Sequence, residues 1–249
     1  MGTRDDMLPI LKKLRLSGLL DTLDLRTQEA VEGNLSNDEF LLRLLTDEVE
    51  RREAKQLDLR LRRARFDHAK TIDDFDFQFN PSVPRAKVTD LATCLFVERR
   101  EVVCLIGPTG TGKSHLAQAL GHRACMAGHK VLYTSAHQMF RQLRAARADR
   151  SFDRCLLKFT GPDLLVIDDL GLRSLRDQEP EDLYEIIRHR YERGAMVITS
   201  NRSVPEWYPL FGDELLASAA MDRLMHHSHV VELDGHSYRN PPAQRAAAS

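Results

Sequence analysis

The fold is decided by one stretch of sequence, Val102-Val-Cys-Leu-Ile106-Gly107-Pro-Thr-Gly-Thr-Gly-Lys113-Ser114. The residues up to Ile106 are apolar, as in a buried strand, and the glycines that follow allow a tight loop before a helix that begins near Lys113. The backbone N–H groups of such a loop can surround phosphate groups, and a helix N-terminus adds its positive end to the same place. The pattern G-x-x-x-x-G-K-S therefore predicts a nucleotide-binding P-loop.

The loop also predicts which side chains meet the nucleotide. Lys113 would neutralise the β and γ phosphates of ATP, and the hydroxyl of Ser114 would bind Mg²⁺. The alternative is a glycine-rich turn that binds nothing, and the flanking strand and helix argue against it. We expect nucleotide contacts from Gly107, Pro108, Thr109, Gly110, Thr111, Gly112, Lys113, Ser114 and His115.

Two further strands end in polar residues at the edge of the sheet where P-loop chemistry takes place. The apolar run Leu164-Leu-Val-Ile167 leads into Asp168 and Asp169; we expect Asp168 to hold Mg²⁺ and Asp169 to polarise the attacking water. Asn201 follows the next strand, where an amide can orient water and sense the γ-phosphate. The alternatives are that Asp169 caps the next segment and that Asn201 only makes a turn before Pro205.

Apolar runs alternate with helical patterns along the rest of the chain, which predicts an α/β three-layer sandwich with a five-stranded parallel sheet covered on both faces. A helix is predicted over Ala86 to Arg99. The expected division is a helical N-terminal domain (1–66), a connector (67–85), an ATPase domain (86–240) and a disordered tail (241–249). The predicted strands are Val102 to Ile106, Val131 to Thr134, Leu164 to Asp168, Ala195 to Ser200 and His229 to Leu233.

Composition limits the class of protein. The 249 residues are 42% hydrophobic and 29% charged, with a net charge of -1, which is typical of a globular protein. No apolar stretch is long enough to span a bilayer and no signal peptide is visible, so we expect a cytoplasmic protein without a membrane contact. The 4 cysteines are scattered, which argues against a disulfide framework or a zinc site.

Clustered cations mark a candidate DNA surface after the second strand. They recur at spacings of three and four, so that they would line helix faces that phosphates can follow. The alternative is an ordinary solvated face, since Asp149 and Asp153 interrupt the row. A second basic run, Arg60 to Arg65, would suit phosphates or an acidic partner. The candidate DNA contacts are Arg141, Arg144, Arg147, Arg150, Arg154 and Lys158.

With these motifs in this order, the chain resembles the AAA+ ATPases, particularly their DnaA/DnaC-like branch. Further motifs are similar to those of the IstB-like transposition helper ATPases. They are Leu14-Arg-Leu-Ser-Gly-Leu, Leu91-Ala-Thr-Cys, Ala119-Leu-Gly-His, Leu165-Val-Ile-Asp-Asp-Leu-Gly, Met221-Asp-Arg-Leu and Gly235-His-Ser-Tyr-Arg. In two positions the chain departs from the pattern: Asp169 replaces the usual Glu of AAA+ proteins, and Asn201 stands where many relatives have Gln.

The resemblance implies a protein that oligomerises on duplex DNA with little sequence preference, reshapes the DNA, and recruits and stimulates a partner transposase through its N-terminal domain. Standard AAA+ modules carry a helical lid after the fifth strand, but only 16 residues follow Leu233 (249 minus 233). We therefore expect a core without a C-terminal lid, whose ATP site a neighbouring subunit closes. The arginine finger acting in trans would be Arg223, on a helix over Asp213 to His226, with Arg239 as a second candidate. The alternative is that Arg223 is a surface arginine paired with Asp222 or Glu214. Phe75 and Phe77 would wall the adenine pocket, unless they only pack in the core.

Other functions remain open at this stage. A DnaC-like helicase loader would use the same ATPase module with a replicative helicase as its partner. A P-loop small-molecule kinase would be a monomer with an acceptor lid. ATP could also act as a structural clamp, because the shorter carboxylate at Asp169 predicts slow hydrolysis.

Overall fold

The computed structural model describes residues 3–67, 70–81, 83–235 and 237–238. They fall into two compact units, one up to Leu59 and one from Arg60 onward. The predicted tail, 241–249, lies outside the described residues. Among the described residues, no helix combines the length and the apolarity that crossing a membrane requires.

The first unit is helical, as predicted. It contains α1 (Thr3–Lys13), α2 (Ser17–Glu32) and the greater part of α3 (Asn37–Ala64). α3 begins with a capping box, because Glu39 N–H donates to Ser36 Oγ at 3.3 Å and Ser36 N–H donates back to the Glu39 carboxylate at 2.9 Å.

Apolar packing between α2 and α3 is small, and a buried acid supplements it. Leu19, Leu23 and Leu44 form the core of this unit. Glu48, which is 4% exposed, accepts a hydrogen bond of 2.6 Å from the N–H of Gly18 in the first turn of α2. A carboxylate satisfies the free amides at a helix start and complements the helix dipole, so Glu48 of α3 fixes the beginning of α2.

The second unit is built on a parallel sheet of five strands in the order β2-β3-β4-β1-β5. All four strand pairs are parallel, and each strand lies within a residue or two of its predicted position. The bounds are β1 Val102–Ile106, β2 Val131–Ser135, β3 Leu164–Leu170, β4 Ala195–Ser200 and β5 Ser228–Glu232. The predicted fold class is confirmed.

Helices connect the strands and cover the sheet. β1, β3 and β4 are buried along nearly their whole length, as expected for strands with helices on both faces. A 3₁₀ helix, Val204–Leu210, follows β4. The α-helices of this unit are α4 Arg85–Leu91, α5 Leu95–Glu98, α6 Lys113–Met126, α7 Ala136–Ala148, α8 Phe152–Thr160, α9 Glu179–Arg190 and α10 Glu214–Met225.

The single helix predicted over Ala86 to Arg99 is wrong. The chain makes α4 and α5 instead, separated at Cys94, which has a left-handed backbone with φ 63°. The hydroxyl of Thr93 donates to Asp90 O at 2.7 Å and accepts from Leu95 N–H at 3.4 Å. This short side chain competes with the helix for backbone partners, which ends α4 and starts α5.

Candidate functional site

The glycine loop between β1 and α6 has a backbone that only glycine permits at two positions. Gly107 has φ 143°, and a Cβ there would lie 2.0 Å from Leu233 O. Gly112 has φ 98°, and its Cβ would lie 2.5 Å from Cε2 of Phe75. Both positions combine a left-handed backbone with a close neighbour, so any side chain would deform the loop. The sequence pattern is therefore required by the shape of the loop.

Lys113 begins α6 and is held against the loop. Its side chain is 5% exposed, and its Nζ donates to Pro108 O at 2.7 Å. The hydroxyl of Thr111 donates to the same oxygen at 2.9 Å. The ammonium group is thus fixed beside the loop amides at a helix N-terminus, an arrangement suited to a phosphate chain.

A cavity of about 720 Å³ opens in front of this loop, which is within the range of small-ligand sites. It brings together most of the predicted nucleotide-binding residues with Asp169 and Asn201. Of the other predicted residues, Gly107, Pro108 and Asp168 do not line it. The lining residues from the predicted set are Thr109, Gly110, Thr111, Gly112, Lys113, Ser114, His115, Asp169 and Asn201.

The two acids at the end of β3 are in different environments. The register between β3 and β4 is broken between Ile167 and Leu170, and Asp169 has φ 59°. Asp168 is 5% exposed, whereas Asp169 faces the cavity. A bulge at the end of a strand re-aims a side chain, and here it turns the second acid toward the loop. Backbone strain of this kind is common at functional sites.

Asp168 is held by residues of both neighbouring strands. The hydroxyl of Tyr133, on β2, donates to one carboxylate oxygen at 2.6 Å, and the hydroxyl of Thr199, on β4, donates to the other. Thr199 Oγ1 also accepts a hydrogen bond of 2.8 Å from the N–H of Asp169. Thr199 therefore fixes both acids. Burial, together with the hydrogen bond to the Asp168 carboxylate, raises the pKa of Tyr133, so its hydroxyl remains a donor.

Sequence reasoning missed Tyr133 and Thr199. Each is a hydroxyl residue near the carboxyl end of a strand, which is the available signal, but nothing in the sequence states that β2 and β4 both flank β3. Asn201, which was predicted, donates from Nδ2 to the hydroxyl of Thr109 at 3.1 Å. This contact joins the end of β4 to the tip of the glycine loop.

The oxygen ligands near the loop suit a hard divalent cation. Ser114 supplies a hydroxyl and Asp169 a carboxylate at the cavity wall, and Asp168, the preceding residue of β3, adds a buried carboxylate. Both oxygens of Asp168 accept a hydroxyl, but a carboxylate has further lone pairs and can still accept from a metal-bound water. Mg²⁺ prefers one or two carboxylates together with waters and substrate phosphates, so the set fits it.

Arg223 does not reach this cavity. It lies on α10 and lines a second cavity of about 430 Å³ with Val102 and Met196, which start β1 and β4. Since the glycine loop follows the end of β1, Arg223 is at the opposite edge of the sheet. Its Nη1 donates to Ala219 O at 2.7 Å and its guanidinium lies 5.6 Å from the centre of the Tyr184 ring. The second finger candidate, Arg239, lies outside the described residues.

The predicted row of DNA-contacting cations is interrupted by partners on α9 and α7. Arg144 pairs with Glu179 at 3.1 Å, Arg147 pairs with Asp182, and Lys158 donates to a glutamine side chain of α7. Glu179 and Asp182 are both buried, so two of the predicted arginines stabilise the packing of α7 on α9. Within the described part of the chain, Arg141, Arg150 and Arg154 form no ion pair.

Together, the strand order, the glycine loop after β1, the acids near the end of β3 and the asparagine after β4 define a P-loop ATPase. Comparison with known proteins narrows the class. The family model described as IstB-like ATP binding protein matches residues 9–246, and the chain belongs to that family.

Two related proteins align with more than nine-tenths of this chain. A Mycobacterium tuberculosis ATP-binding protein in an insertion sequence is 41% identical, with 92% of each chain covered. The ATP-binding protein of insertion sequence IS21 from Pseudomonas aeruginosa is 35% identical, with 95% of this chain and 89% of the relative covered. The chain is therefore an ATPase related to proteins of insertion sequences.

Solved structures share the fold at lower identity. AMPPCP-bound DnaA from Aquifex aeolicus has a TM-score of 0.56 at 22% identity, covering 69% of this chain and 52% of that chain. The DnaC helicase loader has a TM-score of 0.54 at 20% identity, covering 62% of this chain and 92% of that chain. These likenesses support the predicted DnaA/DnaC-like architecture.

Proposed function

We propose that the protein is a Mg²⁺-dependent ATPase that assembles on duplex DNA when it binds ATP and that recruits a transposase of the same insertion element. One observation carries the proposal: the cavity places Asp169 and Asn201 beside the glycine loop and Lys113, whereas Arg223 lies at the other edge of the same sheet. A second copy of the chain can bring its own Arg223 to this cavity. The names of the relatives support a role in insertion elements, and an ATPase acting on DNA would work in the cytoplasm.

Different residues bind the phosphates of ATP, hold the metal ion and position the attacking water. The amides of the glycine loop and Lys113 bind the β and γ phosphates. Ser114 at the cavity wall and the buried Asp168, which does not line the cavity, would hold Mg²⁺, and the ion would neutralise charge on the phosphates. Asp169 accepts a hydrogen bond from the attacking water, and Asn201 orients that water while contacting Thr109. Because Asp reaches less far than Glu, ATP-bound assemblies should be long-lived.

In trans, Arg223 would stabilise the charge on the γ-phosphate bound by a neighbouring copy. An arginine finger contributes about a thousandfold or more to turnover, so Arg223→Ala should abolish most hydrolysis while ATP binding remains. A mixture of Lys113→Ala and Arg223→Ala proteins separates action in trans from action in cis. Lys113→Ala subunits still supply Arg223, and Arg223→Ala subunits still bind ATP, so the mixture should regain part of the activity. A mixture no more active than its components would refute the finger in trans.

DNA binding is assigned to the predicted arginines that form no ion pair within the described part of the chain, Arg141, Arg150 and Arg154. Phosphate contacts give salt-dependent affinity with little sequence preference, about 0.9 in the logarithmic salt slope for each contact. The triple substitution to alanine should flatten that slope in a duplex-binding titration. The matched control is Arg188→Ala, an exposed arginine paired with Glu185 at 2.8 Å, which should leave the slope unchanged. Equal slopes for both proteins would refute this surface.

The N-terminal unit is proposed to contact the transposase. Its α3 exposes large apolar side chains at helical spacing, with Leu42, Leu45 and Val49 respectively 65%, 46% and 53% exposed. Exposed apolar stripes mark protein-interaction surfaces. Replacing the three by serine should abolish stimulation of the transposase and leave DNA-dependent ATPase activity intact. Stimulation of a replicative helicase, without any effect on a transposase, would favour the helicase-loader alternative.

A further inference from the structure

The chain that follows β5 runs along the glycine loop. Leu233 N–H donates to Ile106 O at 2.8 Å, just before the loop, and Tyr238 N–H donates to Gly110 O at 2.9 Å, in its middle. A Cβ on Gly110 would lie 2.1 Å from Oγ of Ser237. The segment is thus bonded to the chain at both the beginning and the centre of the loop, and its position is tied to that of the phosphate-binding backbone.

Tyr238 is placed at the wall of the nucleotide cavity. The residue lines the cavity and is 60% exposed. Phe79 packs edge-on against it, with ring centres 4.7 Å apart and planes at 68°. An edge-to-face pair of this geometry fixes the orientation of both rings. Tyr238 remains 60% exposed beside Phe79, so its exposed part is available to a flat ligand.

We propose that Tyr238 binds the base of ATP by stacking, while the glycine loop and Lys113 bind the phosphates. The inference rests on the proposal that ATP fills this cavity. Tyr238 is bonded through its own N–H to Gly110, so a nucleotide that binds the loop brings its base within reach of this wall. Stacking uses the face of the base, which every base presents, so Tyr238 distinguishes a nucleotide from an inorganic polyphosphate rather than adenine from guanine.

The test compares ATP, GTP and inorganic triphosphate in a competition assay against a fluorescent ATP analogue, using the full-length protein. Tyr238→Ala should weaken ATP and GTP binding about tenfold, which corresponds to about 1.4 kcal/mol, and leave triphosphate binding unchanged. Tyr238→Phe should keep wild-type affinity for all three. Tyr208→Ala is the matched control, because Tyr208 is 47% exposed and does not line the cavity.

Two results would overturn the inference and leave the ATP site intact. Tyr238→Ala could bind ATP as tightly as the wild type, or it could lose ATP and triphosphate equally, which would mean that the segment only supports the loop. Lys113→Ala should lose both ligands and shows that the assay reports on the loop. A wild-type protein that binds neither ATP nor triphosphate would refute the ATP site itself and the role of Tyr238 with it.

Discussion

Replacing Thr199 by valine tests how the two acids of β3 are positioned. Thr199 is fully buried, and its hydroxyl donates to Asp168 while it accepts the N–H of Asp169 at 2.8 Å. Valine has a similar shape but makes neither hydrogen bond. A hydrogen bond to a charged group contributes about 1.5 to 3 kcal/mol, and a stranded N–H costs about 1 to 3 kcal/mol. Because Asp169 is partly exposed, we expect Thr199→Val to lower the free energy of unfolding by about 3 kcal/mol.

The assay combines urea unfolding, followed by circular dichroism, with steady-state ATP turnover. Thr134→Val is the matched control, since Thr134 is 4% exposed and its hydroxyl makes a single hydrogen bond of 3.2 Å to Ser135 O; it should cost only about 1 kcal/mol. Thr199→Val should also slow hydrolysis with little change in ATP affinity, because Asp169 loses its anchor. This account would be refuted if both substitutions lowered the free energy of unfolding equally and Thr199→Val turned over ATP at the normal rate.

Further predictions concern the loop, the second acid and the helical unit. Gly107→Ala should abolish nucleotide binding, because its Cβ would lie 2.0 Å from Leu233 O; normal ATP affinity in a filter assay would contradict this. The Asp169→Asn protein should still assemble when ATP is added but should no longer release inorganic phosphate. Loss of both assembly and phosphate release would mean that Asp169 supports ATP binding. Asp47 accepts two hydrogen bonds from Arg26, which lowers the pKa of Asp47 from 3.8 to about 2. A carboxyl group whose pKa is lowered by folding stabilises the protein at pH values above its unfolded pKa. This stabilisation is lost as the pH falls through the pKa of the folded protein. The Arg26–Asp47 pair is partly buried, so Asp47→Asn should lower the free energy of unfolding by about 1 kcal/mol at neutral pH. This deficit should disappear between pH 3.8 and 2 in thermal melts.

Continuous apolar runs made the sheet predictable from the sequence. β1 and β4 match their predicted bounds because each run ends at a residue with a distinct role, Gly107 after β1 and Asn201 after β4. The glycine loop was predictable because its backbone excludes other residues. The break between α4 and α5 was not, because it depends on one hydroxyl, that of Thr93, competing for backbone groups.

Properties that depend on which elements are neighbours could not be predicted from the sequence. Spacing placed Arg144 and Arg147 in a row of cations, but only the packing of α7 on α9 brings Glu179 and Asp182 to them. The same limit applies to the site, where the anchoring of Asp168 requires the strand order β2-β3-β4. Tyr133 is the clearest case, because its hydroxyl group reaches Asp168 only when β2 lies beside β3.

The central claim is that ATP drives assembly of this chain on duplex DNA through Arg223 acting between copies. The most direct test is mass photometry of the wild type, Lys113→Ala and Arg223→Ala proteins, each with and without duplex DNA and ATP. The account predicts large assemblies of the wild type only when ATP and duplex are both present, and their loss in both variants. A wild-type protein that remains monomeric with ATP and DNA would contradict it.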